Sequence, residues 1–255
     1  MKEIIEGLAK FDTGSDRAAR VLVTGATGYI GGRLVTELLE IGYSVRVLAR
    51  NADRMRDYPW FSRIEVVEGD ANDVAALDLA LKKIDVAYYL LHGLNLTSDF
   101  EEAERVLAEK FADTAKKNDV KRIVYLGGII SPNQKLSPHL ASRELTGQIL
   151  QASGIPTIEL RAGVVIGSGS ASFEMLRYLT ERLPIMTTPK WVLNKIQPIA
   201  VRDVLRYLVG AAGIDPKVSG AFDVSGPDLF TYAEMMQQYA EAAGLRRRII
   251  IPIPV

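Results

Sequence analysis

From residue 20 onward the chain alternates short apolar runs with longer amphipathic segments, beginning VLVT, then GGRLVTELLEIG, then YSVRVLAR. A short unbroken apolar run fits a strand buried on both faces, whereas apolar positions three and four apart mark one stripe of a helix. The alternation predicts βαβ units. Further β-like runs follow at RIEVVEG, DVAYYLL, RIVYLGG, TIELRAGVV, KIQPIAV, AFDVSG and RRRIIIP, with helices expected near 98–118, 137–152, 171–183, 202–211 and 231–243. Strands this apolar belong in a parallel sheet covered by helices on both faces, so the expected fold is α/β with a doubly wound parallel sheet. Ligands of such sheets bind beyond the C-terminal ends of the strands, where strand order reverses.

Residues 1–19 read as an N-terminal extension, a short helix and linker, and residues 20–255 as the main domain. Denser Pro, Gly and Ser from about residue 155 mark a small, loop-rich C-terminal part facing the substrate. Within it, Phe173, Leu176 and Leu179 are expected to face inwards, and Met175, Met235 and Met236 to pack a core rather than line a binding surface. The end, RRRIIIPIPV, fits two readings: a buried last strand, or a surface covered by a partner or by a further domain after residue 255.

Composition narrows the chemistry. Lys plus Arg and Asp plus Glu are equal at 31 each, so no net charge draws the chain to nucleic acid or to an anionic membrane. With no cysteine and two histidines there is no thiolate nucleophile and no Cys-based or His-rich metal site. No uninterrupted apolar stretch reaches the roughly 18 residues of a spanning helix, and the N-terminus has no secretory pattern. A cytoplasmic, metal-free protein without nucleic-acid or membrane partners is expected.

The strongest local signal is VLVTGATGYIGG, which sets Gly25, Gly28 and Gly31 three apart between an apolar strand and an amphipathic helix. That arrangement brings a pyrophosphate against backbone N–H groups at a helix N-terminus, with glycine wherever a Cβ would block the turn or the phosphate. Gly25, Thr27, Gly28, Tyr29, Ile30 and Gly31 are the candidate phosphate-binding residues. The second strand ends in Arg50, with Arg54 and Arg56 following, where NAD-binding chains carry a carboxylate for the ribose hydroxyls. A guanidinium there clamps a 2′-phosphate instead, so NADP(H) is expected over NAD(H). Arg33 either assists or faces water.

These residues, with EGDAND, RIVYLGG, ELRAGVVIGSGS, QPIAVRDV and FDVSGPD downstream, resemble the extended and atypical short-chain dehydrogenase/reductase superfamily, a Rossmann fold, over residues 20 to about 251. Within it the chain is similar to NmrA-like and nucleoside-diphosphate-sugar epimerase-like proteins. The resemblance implies that Asp70 accepts a hydrogen bond from the adenine amino group with Ala71 beside the ring, although D-x-N-D is also turn and capping chemistry. It also implies that Leu90, Leu91, His92 and Gly93 pass beneath the two riboses, that Gly127 borders the cofactor, and that a homodimer forms through the helices beside the fifth strand. Gln197, Pro198 and Asp203 read as a structural block, and Arg161, followed by Ala162 in place of the family's proline, as packing near the nicotinamide.

One departure concerns catalysis. Family reductases carry Tyr-x-x-x-Lys on the helix after the fifth strand and a serine at that strand's end; here His139 and Arg143 hold the Tyr and Lys spacing, and Gly127 and Gly128 stand where the serine would lie, unless Ser131 reaches back. Four apart on one helix face, an imidazole beside a guanidinium is still a competent acid or base. The resemblance therefore implies an NADP(H)-binding enzyme acting on an unidentified small carbonyl or alcohol or a sugar-nucleotide-like substrate. The alternative is a non-catalytic NADP(H)-sensing or assembly module of the NmrA type.

Overall fold

The computed structural model describes residues 10–14, 18–91, 100–130 and 137–253. Two compact units emerge: Met1–Arg161 with Leu205–Asp223, and Ala162–Val204 with Val224–Val255. The first unit holds a seven-stranded sheet made of β1 (Arg20–Thr24), β2 (Ser44–Ala49), β3 (Glu65–Glu68), β4 (Val86–Tyr89), β5 (Arg122–Gly128), β6 (Thr157–Ala162) and, after the chain returns, β11 (Gly220–Val224). Its spatial order is β11-β6-β5-β4-β1-β2-β3, with β1 parallel to both β2 and β4. Parallel pairing continues from β2 to β3 and from β4 to β5. Strand order reverses between β1 and β4, the doubly wound arrangement expected from the pattern.

Helices α1 (Tyr29–Glu40), α2 (Val74–Leu81), α3 (Phe100–Lys117) and α4 (Pro138–Ala152) cover this sheet, with α6 (Val201–Gly213) preceding β11. Alternation along each strand decides which face a residue meets. Leu22, Leu48, Tyr89 and Tyr125 join Leu77, Ala108, Phe111 and Leu150 in one core with α2, α3 and α4. Tyr88, one residue from Tyr89, points the other way and donates its hydroxyl to the Leu208 carbonyl of α6 at 3.1 Å. Thr24 stitches the reversal point itself: its Oγ1 donates to the Tyr88 carbonyl at 2.9 Å and accepts from the Leu90 N–H at 3.1 Å.

Two buried arginines close helix ends in this unit. Arg122, fully buried at the start of β5, donates to the Ala211 carbonyl in the last turn of α6 and to those of Ile214 and Asp215 just past it. Arg46 donates to those of Leu79, Ala80 and Lys82 at the end of α2 and pairs with Glu65 at 2.9 Å. Carbonyls at a helix C-terminus lack intrahelical donors and carry the negative end of the dipole, so a cation there satisfies both.

The second unit contains α5 (Ala171–Arg182), α7 (Tyr232–Ala242) and three two-stranded sheets. Leu176, Met186, Met235 and Met236 form its core, with Leu179 packed against it. Phe173, also expected inside, is only half-buried, edge-on to the Tyr239 ring, and Met175 is exposed rather than packed in a core. Arg248 repeats the capping device, its Nε donating to the Thr180 carbonyl near the end of α5 at 2.7 Å. The run TIELRAGVV divides into β6 and β7 (Val165–Ile166), and KIQPIAV into β9 (Lys195–Ile196) and β10 (Ile199–Ala200), parted by Pro198, which has no N–H for a ladder. β10 pairs with β7, β9 with β12 (Phe230–Thr231), and the final run, β13 (Ile249–Ile253), with β8 (Ile185–Pro189). These runs lie outside the main sheet, and Ile249 at 55% exposure shows that the last strand is not a buried one. Among the described residues no helix is long and apolar enough to cross a membrane.

Candidate functional site

A cleft of about 470 Å³ opens over the C-terminal ends of the first four strands of the main sheet. The turn after β1 forms its floor. Gly25 there has φ +71°, and a Cβ on it would run into the Leu90 carbonyl. A Cβ on Gly31 would meet the Gly25 carbonyl and lie 2.9 Å from the Ala26 Cα. Both glycines are thus required by close backbone approach. Gly28 caps α1 in an extended conformation, donates its N–H to the Gly25 carbonyl at 2.9 Å, and supplies no side-chain cap. The first turn of α1 carries no acidic residue, so the free N–H groups of Tyr29, Ile30 and Gly31 present the positive end of a helix dipole. Such a cradle, whose tight turn any side chain at 25 or 31 would force open, fits a pyrophosphate.

Arg50, Asn51 and Arg54 line the cleft at the end of β2. Neighbouring carboxylates are engaged elsewhere: Asp53 pairs with Arg56 at 2.8 Å, and Glu68 accepts from the Ala52 N–H. Arg33 is turned onto the Tyr29 ring, 4.0 Å from its centroid, and donates to the Tyr29 carbonyl. At the end of β3, Asp70 and Ala71 line the same cleft. Asp70 also makes a turn, accepting from the backbone N–H and side-chain amide of Asn72 at 2.8 and 3.0 Å, while Asp73 caps α2. Leu91 is on the wall and Leu90 beneath Gly25; His92, Gly93 and Ser131 lie outside the described residues.

Tyr89, Glu104 and Leu107 complete the wall and were not singled out from the sequence. Glu104 had a readable signal. It falls on the buried stripe of α3 with Phe100, Ala108, Phe111, Ala112 and Ala115, where a carboxylate is out of place unless it has a partner. That partner is the Ser142 hydroxyl of α4, which donates to it.

The structure gives Gly127 a different reason for being glycine than contact with a ligand. The Oε1 of Glu159, on β6, lies 3.0 Å from where a Gly127 Cβ would stand, and its carboxylate oxygens lie 2.5 and 2.7 Å from a Cβ on Gly147 of α4. Glu159 is 1% exposed and held by Gln151 at 2.6 Å and by Arg161 at 3.0 Å. The volume of the family serine is thereby bordered by a pinned carboxylate, which in turn raises the pKa of Arg161 through its hydrogen bond. Arg161, expected to pack near the nicotinamide, is tied to Glu159.

His139 and Arg143 lie on one face of α4, and neither lines the cleft. His139 stacks on Phe100 with ring centroids 6.2 Å apart. Burial, and then the nearby Arg143 cation, lower its pKa below the ordinary histidine value, while Glu104 acts in the opposite sense, so the ring is neutral at pH 7. The Tyr125 hydroxyl donates to the Arg143 carbonyl at 3.1 Å.

Comparison with known proteins agrees with this geometry. A family model described as NAD(P)H-binding matches residues 25–164. The chain is 27% identical over 245 residues to the ceramide reductase of Caulobacter vibrioides, covering 94% of this chain and 76% of that protein. It is 25% identical over 264 residues to NADH dehydrogenase [ubiquinone] 1 alpha subcomplex subunit 9 of Arabidopsis thaliana, covering 97% of this chain and 65% of that one. Among solved structures, MoeE5 in complex with UDP-glucose and NAD superposes with a TM-score of 0.76 at 21% identity, covering 93% of this chain and 86% of that one, a likeness of fold. With more than half its length matched, and with the glycine cradle at the reversal point of a doubly wound sheet, the chain belongs to the NAD(P)H-binding family.

Proposed function

We propose that this chain is an NADP(H)-dependent oxidoreductase acting on a small carbonyl or alcohol, or on a sugar-nucleotide-like substrate. The observation that carries the cofactor preference is the pair Arg50 and Arg54 at the end of β2, with no ion-pair partner among the described residues. Two guanidinium groups facing a cleft attract a 2′-phosphate, whereas the carboxylate that serves NAD at this place would repel it. In this reading Gly25, Thr27, Gly28, Tyr29, Ile30 and Gly31 hold the pyrophosphate through backbone N–H groups. Asp70 and Ala71 flank the adenine, Asp70 keeping Oδ2 for the amino group while Oδ1 serves the Asn72 turn. Leu90 and Leu91 run beneath the riboses.

When bound, the cofactor supplies or accepts the hydride. His139, neutral at pH 7, takes a proton from an alcohol in the oxidative direction and returns it in the reductive one, with Arg143 holding the nicotinamide ribose. The reductase name of the Caulobacter relative supports oxidoreduction. A second reading, a non-catalytic NADP(H)-sensing or assembly module of the NmrA type, is favoured by the missing Tyr-x-x-x-Lys pair and by the pinned Glu159 beside Gly127.

The test uses 2′,5′-ADP and 5′-ADP as cofactor fragments, titrated into wild type and Arg50→Ala, with nicotinamide absorbance then followed over a carbonyl panel. A charge-assisted hydrogen bond is worth about 1.5–3 kcal/mol, so Arg50→Ala should weaken 2′,5′-ADP roughly 10- to 100-fold and leave 5′-ADP within about threefold. Equal loss for both fragments would overturn the 2′-phosphate assignment. Loss of NADPH absorbance with a substrate supports the enzyme; binding without turnover over the whole panel supports the module.

A further inference from the structure

Helix α3 meets the first turns of α4 through two side chains one turn apart. Phe100 stacks on His139, and Glu104 accepts a hydrogen bond from Ser142. Both Glu104 and Ser142 are more than nine-tenths buried. A buried carboxylate is costly unless hydrogen-bonded, and two helices pack as well through Ala or Leu, so packing alone does not explain an acid here. The other side of Glu104 does. The same residue lines the dinucleotide cleft beside Leu107, Tyr89 and Leu91. Ser142, its partner, is three residues after His139 and next to Arg143 on α4.

Building on the reading of the cleft given above, we propose that Glu104 is a positioning residue that ties the wall of the dinucleotide cleft to the helix turn carrying His139 and Arg143, so that cofactor binding is felt at His139. The chain of contacts is short: cleft wall, Glu104, Ser142, then the turn of α4 that bears the imidazole. No distant pathway is invoked, since each link is a direct contact. Among the described residues, the charged groups acting on the imidazole are Arg143 on its own helix and Glu104 from α3, with the Phe100 ring against its face. Removing the Glu104 charge while keeping its shape therefore lowers the His139 pKa further, a change that a purely steric role would not produce.

The experiment follows the His139 imidazole by NMR in the full chain, the resonance being assigned by its loss in His139→Asn. Wild type, Glu104→Gln, Glu104→Ala and Ser142→Ala are compared with and without NADP+, and calorimetry on the same samples records binding. The expected results are a lower His139 midpoint in Glu104→Gln without cofactor and a clear movement of the wild-type resonance on adding NADP+. That movement should be kept in Glu104→Gln, whose amide oxygen still accepts from Ser142, and should fall below half in Glu104→Ala and Ser142→Ala. Ser142→Ala cuts the link from the other helix, so it carries the test should Glu104→Ala fail to fold. A wild-type resonance that ignores bound NADP+, or Ser142→Ala responding like wild type, would overturn the proposal. Absence of any heat with NADP+ and NAD+ would instead bring down the reading of the cleft, and this coupling with it.

Discussion

Glu159 shows how one buried side chain dictates the identity of residues far from it in sequence. Its carboxylate needs volume on both β5 and α4, and Gly127 and Gly147 supply it. A helical glycine replaced by alanine ordinarily gains up to about 1 kcal/mol from helix propensity. At Gly147 the sign reverses, because the added Cβ would stand 2.5–2.7 Å from a carboxylate already fixed by Gln151 and Arg161. Gly147→Ala should therefore destabilise the protein by about 1–3 kcal/mol, the usual range for overpacking, as read by urea denaturation. A stabilised Gly147→Ala would show that Glu159 is free to move. By the same geometry, Gly127→Ser is no restoration of family chemistry: it crowds Glu159 before it reaches a substrate.

At the scale of elements, the legible parts were those with local causes. The glycine turn and α1 could be read because strand, turn and helix are contiguous, and because Gly31 answers to Gly25 and Ala26 a few residues away, although the Leu90 carbonyl that Gly25 answers to comes from a distant strand end. Arg50 follows from position at a strand end. The assignment of KIQPIAV and RRRIIIP to the main sheet failed because pairing is non-local: Pro198 splits the first, and β13 finds β8 more than sixty residues back. Glu159 behind Gly127 was hidden for the same reason. Arg122 is another long-range device, linking β5 to the end of α6 some ninety residues later. Arg122→Met keeps apolar volume but leaves the buried Ala211 carbonyl without this donor, and such a group costs about 1–3 kcal/mol, while the part-buried Ile214 and Asp215 carbonyls can turn to water. A loss of about 1–3 kcal/mol in denaturant unfolding is expected; a loss under about 1 kcal/mol would mean that water replaces the guanidinium.

For the whole molecule, the balance of charge matters less than its placement. The chain is neutral overall, yet it sets Arg50 and Arg54 at one end of a cleft whose floor is a helix N-terminus without acidic residues. The helix N-terminus suits the pyrophosphate of either dinucleotide, and the two arginines are what the proposed preference for NADP(H) over NAD(H) rests on. The most direct test of this account is a calorimetric titration of the wild-type chain with NADPH and, separately, with NADH. Two exposed guanidinium groups on one phosphate should make NADPH at least about tenfold tighter, equivalent to 1.4 kcal/mol. NADH binding as tightly or more tightly would contradict the assignment of Arg50 and Arg54, and would return the end of β2 to an ordinary solvated surface.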